Sequence, residues 1–285
     1  MKKILVTGAN GQLGKEFRDL ASAYPAYEFL FLSREDLPIH HFELVRNTFS
    51  SFKPDFCINC AAYTAVDKAE SEQDLAFLVN AESMGVLSAV AHEYSCKFIH
   101  VSTDYVYDGK GTRPYLETDP TLPVSVYGKS KLDGEKQALK NNLDTVIIRT
   151  SWVYSVHGKN FVKTMMKLMS ERTTLNVVSD QVGAPTWAAD LAQAIMEIIS
   201  YPKWSPGIYN FSNEGEISWF DFAQEIKILT NSSCNVNPIP TSEYPTPAKR
   251  PSYSVMNNSK IVSHYHLQIS NWKDSLVKCL SKINQ

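Results

Sequence analysis

The sequence predicts an α/β protein, a Rossmann-like doubly wound parallel sheet with a smaller C-terminal substrate-binding region. Three observations carry that expectation. Over the first 150 residues, short β-branched and aliphatic runs alternate regularly with helical patterns, as parallel strands joined by crossover helices do. A glycine-rich turn directly follows the first run and opens a helix. The polar motifs fall at the predicted carboxyl ends of strands, where open α/β sheets bind their ligands.

In order, Lys2 to Thr7 reads as a buried strand. Gly8-Ala9-Asn10-Gly11-Gln12-Leu13-Gly14 follows, and Leu13, Phe17, Leu20 and Ala21 then recur at helical spacing. The turn is G-x-x-G-x-x-G rather than the G-x-G-x-x-G of ordinary dinucleotide-binding folds, but the physics is shared. Glycines let the backbone approach a pyrophosphate, and the helix N-terminus offers free N–H groups to its charge. The next strand, Glu28–Leu32, ends in Ser33-Arg34, where an NAD-specific enzyme often has an acidic residue for the ribose 2′-hydroxyl. A guanidinium suits a 2′-phosphate instead, so NADPH is the expected cofactor. Glu35 and Asp36 follow immediately, and NADH stays plausible.

A helix is predicted from His41 to Phe52 and a buried strand from Asp55 to Cys60. Ala61-Ala62-Tyr63-Thr64 ends that strand with small residues, which lets a cofactor lie close. Asp67 to Glu72 reads as a solvated, charged turn, and Leu75 to Tyr94 as one long helix. The strand Lys97–Val101 delivers Ser102-Thr103-Asp104, and a loop from Asp108 to Val126 leads to Tyr127-Gly128-Lys129-Ser130-Lys131. A tyrosine and a lysine four residues apart share one face of a helix. An ammonium beside a phenol favours the phenolate, so Tyr127 can exchange a proton with a substrate oxygen that a neighbouring hydroxyl also holds.

Asp144–Thr150 is a further strand, ending in Ser151-Trp152-Val153-Tyr154. Helices are predicted from Asn160 to Met169 and from Trp187 to Ile199, with a loop at Gln181–Thr186 between them. Pro238 to Pro251 reads as exposed connections able to cover a cleft. The alternation weakens past residue 170, so residues 1–150 are expected to form the NAD(P)-binding domain, with later segments able to return to it. Residues 151–285 are expected to form mainly the substrate-binding region.

Composition narrows the function classes. A formal net charge of −2 gives no electrostatic reason to expect nucleic acid or a membrane surface as partner. No apolar run approaches the roughly 20 residues of a membrane helix. The run after Met1-Lys2-Lys3 stops at Thr7-Gly8, too short for a signal peptide, and a cytoplasmic protein is expected. Five cysteines, an odd number, do not suggest a disulfide framework. Cys57 and Cys60, three apart on a strand, should point to opposite faces. His40-His41 and His264-Tyr265-His266 lack partners at ligand spacing and read as surface or packing residues, so no metal site is expected.

Taken together, Val6–Gly14, Asn59–Glu70, Ser102–Tyr107, Tyr127–Lys131, Arg149–Tyr154, Gln181–Thr186 and Arg250-Pro251 resemble the extended short-chain dehydrogenase/reductase family and, within it, the dTDP-4-dehydrorhamnose reductases. The motifs run through nearly the whole chain in the family's order. The resemblance implies reduction of the C4 ketone of dTDP-4-dehydro-β-L-rhamnose to dTDP-L-rhamnose, with NADPH or NADH as hydride donor. It implies Tyr127 as the acid that protonates the C4 oxygen, Lys131 as the residue that lowers its pKa and binds the nicotinamide ribose, and Thr103 as a hydrogen-bond partner of the same oxygen. It places Gly8, Asn10, Gly11, Gln12, Leu13, Gly14, Ser33, Arg34, Ile39, Ala61, Ala62, Tyr63, Thr64 and Ser102 along the cofactor with Tyr127 and Lys131. Val66, Thr103, Asp104, Tyr105, Tyr127 and Trp152 would contact the sugar nucleotide.

Two departures qualify the resemblance. Pro38 stands before Ile39 where many relatives carry an Asp near the adenine. The end of the chain, Cys279 to Gln285, lacks the glutamate cluster through which some relatives dimerise on magnesium, so a monomer or a metal-independent dimer is expected. A nucleotide-sugar epimerase or dehydratase shares the glycine turn and the tyrosine–lysine pair. A non-catalytic subunit on the same fold would have no need of Thr103, Tyr127 and Lys131 together.

Overall fold

The computed structural model describes residues 1–283. Strand β1 (Lys2–Thr7) leads through the glycine turn into α1 (Gln12–Leu20), followed by β2 (Tyr27–Leu32), α2 (Phe42–Phe52) and β3 (Phe56–Asn59). A single-turn α3 (Val66–Ala69) precedes α4 (Gln73–Phe77) and α5 (Ser83–Glu93), which a π-helical turn at Leu78–Glu82 joins into one continuous run. Then come β4 (Lys97–Thr103), α6 (Val126–Asn141) and β5 (Thr145–Thr150). Beyond them lie β6 (Val153–Tyr154), α7 (Phe161–Glu171), β7 (Thr174–Val178), β8 (Val182–Gly183), β9 (Thr186–Trp187) and α8 (Ala188–Ser200). The chain continues with β10 (Gly207–Asn210), β11 (Ile217–Ser218), α9 (Trp219–Leu229), β12 (Asn235–Ile239), α10 (Ser259–Tyr265) and α11 (Trp272–Ile283).

The main sheet has six strands in the order β10-β5-β4-β3-β1-β2, and every neighbouring pair is parallel. Alternation along each strand sends side chains to both faces, and both are covered. On one face Ile4, Val6, Ile58, Ile99 and Ile148 pack with Phe17 of α1, Leu191 and Ile195 of α8 and Ile261 of α10. On the other, Leu5, Cys57 and Phe98 pack with Val45 and Phe49 of α2 and Met84 and Leu87 of α5. Each fully buried aliphatic side chain of this kind is worth about 1.5–3 kcal/mol, which makes the two faces the main source of stability. Strand order reverses between β1 and β3, so a crevice opens at the carboxyl ends just where the glycine turn lies.

Cys57 and Cys60 diverge as expected, the first into the α2–α5 face and the second toward the α1–α8 face. All five cysteines are free. His40 and His41 pack on each other, and His264 packs on Tyr209 and Tyr265.

A second core gathers Tyr154, Val162, Met165 and Trp187 with Phe222, Ile226, Trp272 and Leu276. Yet β10, α8 and α10 belong to the first core and its sheet, so residues from both halves of the chain build it. Residues 155–160 lie along α1: Asn160 Nδ2 donates to Gln12 Oε1 (2.9 Å), Ser155 Oγ donates to Glu16 Oε1 (2.6 Å), and His157 Nε2 meets Asp19 Oδ2 at 2.6 Å.

Several sequence expectations are corrected. Gln73–Glu93 is long and apolar enough by length and composition to cross a membrane, although no such run was expected; half of its most apolar window is buried inside the fold, as in a core helix. The stretch Asp67–Glu72 is only partly a solvated turn: Lys68, Ser71 and Glu72 are exposed, but Asp67–Ala69 belong to α3 and the carboxylates are engaged. Asp67 binds Arg250, Glu70 accepts the N–H of Val126 at the start of α6, and Glu72 accepts the Tyr63 hydroxyl. β4 runs on through Ser102 and Thr103. Gln181–Thr186 contains the short strand β8 and the first residue of β9, and Pro238 lies within β12. Asn284 and Gln285 of the C-terminal segment lie outside the described residues.

Candidate active site

The glycine turn is built for close approach. Gly8 has φ of +67°, and a Cβ there would lie 2.5 Å from the backbone nitrogen of Ala61. Gly11 caps α1 with no side-chain hydrogen bond, so the first N–H groups of α1 are not used by a cap. Asn10 and Gly11 are exposed, Gln12 is half-buried, and Leu13 faces the core.

At the end of β2, Ser33 gathers its acidic neighbours. Its N–H donates to Asp36 Oδ2 (2.9 Å) and its hydroxyl to Glu35 Oε2 (2.7 Å). Those bonds hold both carboxyls below their usual range. Arg34 is exposed beside them and forms no ion pair among the described residues. Ile39 is buried in the core with Leu37.

Ala61–Thr64 is held from below by Asn80. Its Oδ1 accepts the Tyr63 N–H (2.8 Å), and its Nδ2 donates to the Tyr63 carbonyl (3.0 Å) and to Ser130 Oγ of α6 (3.0 Å). Asn80 sits within the π-helical turn, and its carbonyl packs so closely on Gly134 that a Cβ there would have no room. Ala61, Ala62, Tyr63 and Val66 are half-buried and Thr64 is exposed, all on the crevice side of β3.

α6 carries the tyrosine and the lysine. Ser125 caps it by accepting the Gly128 N–H at 3.1 Å. Gly128 packs directly on the Tyr105 carbonyl. Tyr127 is half-buried and meets the Tyr105 ring edge-on at 5.6 Å. Burial pushes its phenol up to about 12, with Asp104 acting in the same direction and a hydrogen bond with Thr103 acting against it. Lys131 is buried, and burial holds its amine down to about 8. The tyrosine pKa is thus raised, burial being the largest cause, and Lys131 Nζ is bonded to the Val101 carbonyl at 2.7 Å.

Thr103 Oγ1 donates to Asp104 Oδ1 at 2.9 Å. Asp104 is buried, its Oδ2 has no hydrogen-bond partner within 3.5 Å among the described residues, and burial raises its carboxyl to about 6 against the opposing pull of Ser254 and Thr103. Ser102, by contrast, turns inward. Its hydroxyl donates to Glu135 Oε1, and Glu135 also receives Arg149 through Nε (2.9 Å) and Nη2 (2.6 Å). Arg149 Nη1 in turn donates to the Tyr107 hydroxyl (2.9 Å). This buried knot ties β4, β5 and α6 together beneath Thr103 and Lys131.

Trp152 holds φ of +48° and stacks on Trp219, ring centroids 3.5 Å apart. Gly183 leaves space for it, since a Cβ there would lie 2.6 Å from the indole. Arg250 closes the other side, donating to both oxygens of Asp67 at 3.0 and 2.8 Å. The structure thus brings Gly8–Gly14, Ala61–Thr64, Thr103, Asp104, Tyr105, Tyr127 and Lys131 to the same end of the sheet.

Sequence reasoning missed Asn80, Glu135, Trp219 and the pairing of Arg250 with Asp67. Only Glu135 carried a local signal, four residues beyond Lys131 on the same helix face. One cluster of side chains spaced closely enough to hold a metal ion occurs among the described residues, Glu16, Asp19 and His157, and its members are among those that hold residues 155–160 on α1.

The model of the family described as "RmlD substrate binding domain" matches residues 1–285. The chain is 40% identical to the spore coat polysaccharide biosynthesis protein SpsK of Bacillus subtilis, covering 99% of this chain and 98% of that protein. It is 41% identical to a dTDP-4-dehydrorhamnose reductase of Aggregatibacter actinomycetemcomitans, covering 97% of each. A crystal structure of the dTDP-4-dehydrorhamnose reductase of Bacillus anthracis in complex with NADP superposes with a TM-score of 0.95 at 36% identity, covering 99% of this chain and 100% of that one.

Proposed function

This chain belongs to the RmlD substrate binding domain family, and from that premise we propose that it reduces the C4 ketone of dTDP-4-dehydro-β-L-rhamnose to dTDP-L-rhamnose, using NADPH or NADH. One observation carries the reading: Thr103, Tyr127 and Lys131 stand at the same sheet end as a glycine turn whose cradle a single Cβ would fill.

The residues fit the cofactor. The turn Gly8–Gly14 with Asn10, Gly11 and Gln12 would take its pyrophosphate at the start of α1, and Ala61, Ala62, Tyr63 and Thr64 would flank it. Arg34, free of ion pairs with its acidic neighbours, suits a 2′-phosphate, and Ser33 fixes the turn that presents it. When bound, the nicotinamide supplies a hydride to the C4 carbon.

The protein's part is to deliver the proton. Tyr127, kept protonated by burial, donates to the C4 oxygen as negative charge builds there. Thr103 steadies the same oxygen, and Lys131 would hold the nicotinamide ribose. Asp104, Tyr105, Val66 and Trp152 would contact the sugar nucleotide, with Trp219 backing Trp152. Residues 1–150 with β10, α8 and α10 form the cofactor-binding body in this reading, and the second core forms the substrate side. The protein works in the cytoplasm as a monomer or a metal-independent dimer. Sedimentation with and without chelator checks the latter, and a magnesium-dependent dimer refutes it.

The deciding experiment follows cofactor absorbance with the 4-keto sugar nucleotide. A reductase oxidises one NAD(P)H for each ketone reduced. Sugar-nucleotide conversion without net oxidation would instead identify an epimerase or dehydratase.

A further inference from the structure

Gln12 opens α1 at the glycine turn, and its side chain lies against residues 155–160 from the other half of the chain. Gly158 holds φ of +67°, and a Cβ there would lie 3.1 Å from Gln12 Cγ, so this loop rests directly on the glutamine. Asn160 ends the loop and caps α7, its Oδ1 accepting the Lys163 N–H at 3.1 Å. Its Nδ2 stands 2.7 Å from the Ser155 carbonyl and 3.3 Å from the His157 carbonyl. A backbone N–H can only donate and a carbonyl can only accept, so these three partners fix which end of the Asn160 amide is oxygen and which is nitrogen. The same Nδ2 meets the Gln12 amide at 2.9 Å. The atom it meets must accept, which makes it Oε1. Gln12 Nε2 is then the other end of the amide, and Gln12 makes no further side-chain hydrogen bond among the described residues.

We propose that Asn160 is a positioning residue for the cofactor: by holding Gln12 through Oε1, it leaves the N–H groups of Gln12 Nε2 to a dinucleotide pyrophosphate at the glycine turn. The first N–H groups of α1 are not used by a cap either, so backbone and side chain offer donors at one place. An amide free to rotate would also present its oxygen, and an oxygen facing a phosphate repels it. Lys163, one turn into α7, does not compete for Gln12, because its Nζ is bonded to the Val156 carbonyl at 3.0 Å. The loop has two further ties to α1, Ser155 to Glu16 and His157 to Asp19, and neither involves Gln12. They keep the loop in place when the Asn160 amide is removed. Since Val162 and Met165 of α7 pack in the second core, the substrate half of the chain sets a side chain of the cofactor site.

This role rests on the dinucleotide reading of the glycine turn, and the test separates the two. NADPH affinity is read by fluorescence titration, without sugar nucleotide, for the wild type, Asn160→Ser, Gln12→Ala and the double variant. Serine still caps α7 and carries no charge, but it has no amide to hold Gln12. Gln12→Ala removes a donor to a charged oxygen and should weaken NADPH binding about 10- to 100-fold. Asn160→Ser removes the neutral hydrogen bond behind that donor and should weaken binding about 3- to 10-fold. NADH should lose by the same factor, because the pyrophosphate is common to both. In the Gln12→Ala background the serine should change nothing. An unchanged affinity in Asn160→Ser overturns the proposal. So does an equal loss with and without Gln12, which is what a merely structural role would give. A wild type that bound neither cofactor would overturn the reading of the turn as well. Should Asn160→Ser fail to fold, side-chain amide ¹⁵N spectra of the unaltered protein decide the matter. The Gln12 signal, assigned by its loss in Gln12→Ala, should shift when NADPH is added, and a signal that does not move overturns the proposal.

Discussion

Removing Arg149 should cost this protein far more stability than any surface charge. Arg149 and Glu135 are each 2% exposed, and they meet through two hydrogen bonds of 2.6 and 2.9 Å. Arg149→Met leaves the Glu135 carboxylate buried with only the Ser102 hydroxyl donating to it. Breaking a buried pair by deleting one partner costs about 3–5 kcal/mol, against about 0–1 for an exposed pair such as Arg46–Glu93. The pair itself need not be net stabilising, because desolvation opposes the attraction. The double variant Glu135→Leu/Arg149→Met should therefore recover most of the loss. Urea unfolding of the wild type, both single variants and the double variant forms the measurement. A single-variant loss below about 1 kcal/mol, or a double variant no better than Arg149→Met, would refute the reasoning. The knot would then be an exposed or dispensable contact rather than the floor beneath Thr103 and Lys131.

Three further outcomes are expected. Tyr127→Phe keeps the ring and removes the proton, so kcat should fall about 10²- to 10⁴-fold while NADPH affinity, read by fluorescence titration, stays nearly constant. Arg34→Glu should weaken NADPH binding and spare NADH; an equal effect on both would show that the guanidinium does not meet the 2′-phosphate. Asp104 has its folded carboxyl raised to about 6 from 3.8, so the native state binds the extra proton and stability declines as pH rises through that window. Asp104→Asn should accordingly match the wild type near pH 3.5 and exceed it above pH 6 by about 3 kcal/mol in unfolding experiments. A gain that did not grow with pH would contradict the assignment.

What could be read from the sequence was local. The glycine turn joins a strand and a helix within the first twenty residues, and Tyr127 and Lys131 announce themselves by one helical turn. The buried contacts of Asn59 on β3 with Thr7 on β1 and His100 on β4 were invisible because they depend on the register of the three strands, which no single segment encodes. The same is true of Arg149 and Glu135, which come from a strand and a helix. Asn80 was hidden for another reason: a π-helical turn interrupts what reads as a uniform helix, and it re-aims one side chain toward Tyr63. The charged stretch Asp67–Glu72 misled because its carboxylates find partners up to 183 residues away. The return of β10 to the sheet edge was likewise not marked by any motif. A four-residue strand with two half-buried positions gives too short a pattern.

The three contacts between α1 and residues 155–160 bear on the order in which the molecule is assembled. Gln12, Glu16 and Asp19 are made early, yet their partners lie 138 to 148 residues later in the chain. The outer edge of β5 likewise waits for β10, and the α1 face of the sheet waits for α8. Contacts of such long range form slowly, since closing the intervening chain costs entropy before any packing repays it. During synthesis from the N-terminus, the nucleotide-binding half therefore emerges with an apolar face and an open strand edge. It stays incomplete until α10, at about residue 265, has left the ribosome. A chain cut after residue 150 would expose Ile4, Val6, Ile58 and Ile99 where α8 belongs, and would aggregate rather than fold as a free-standing nucleotide-binding unit.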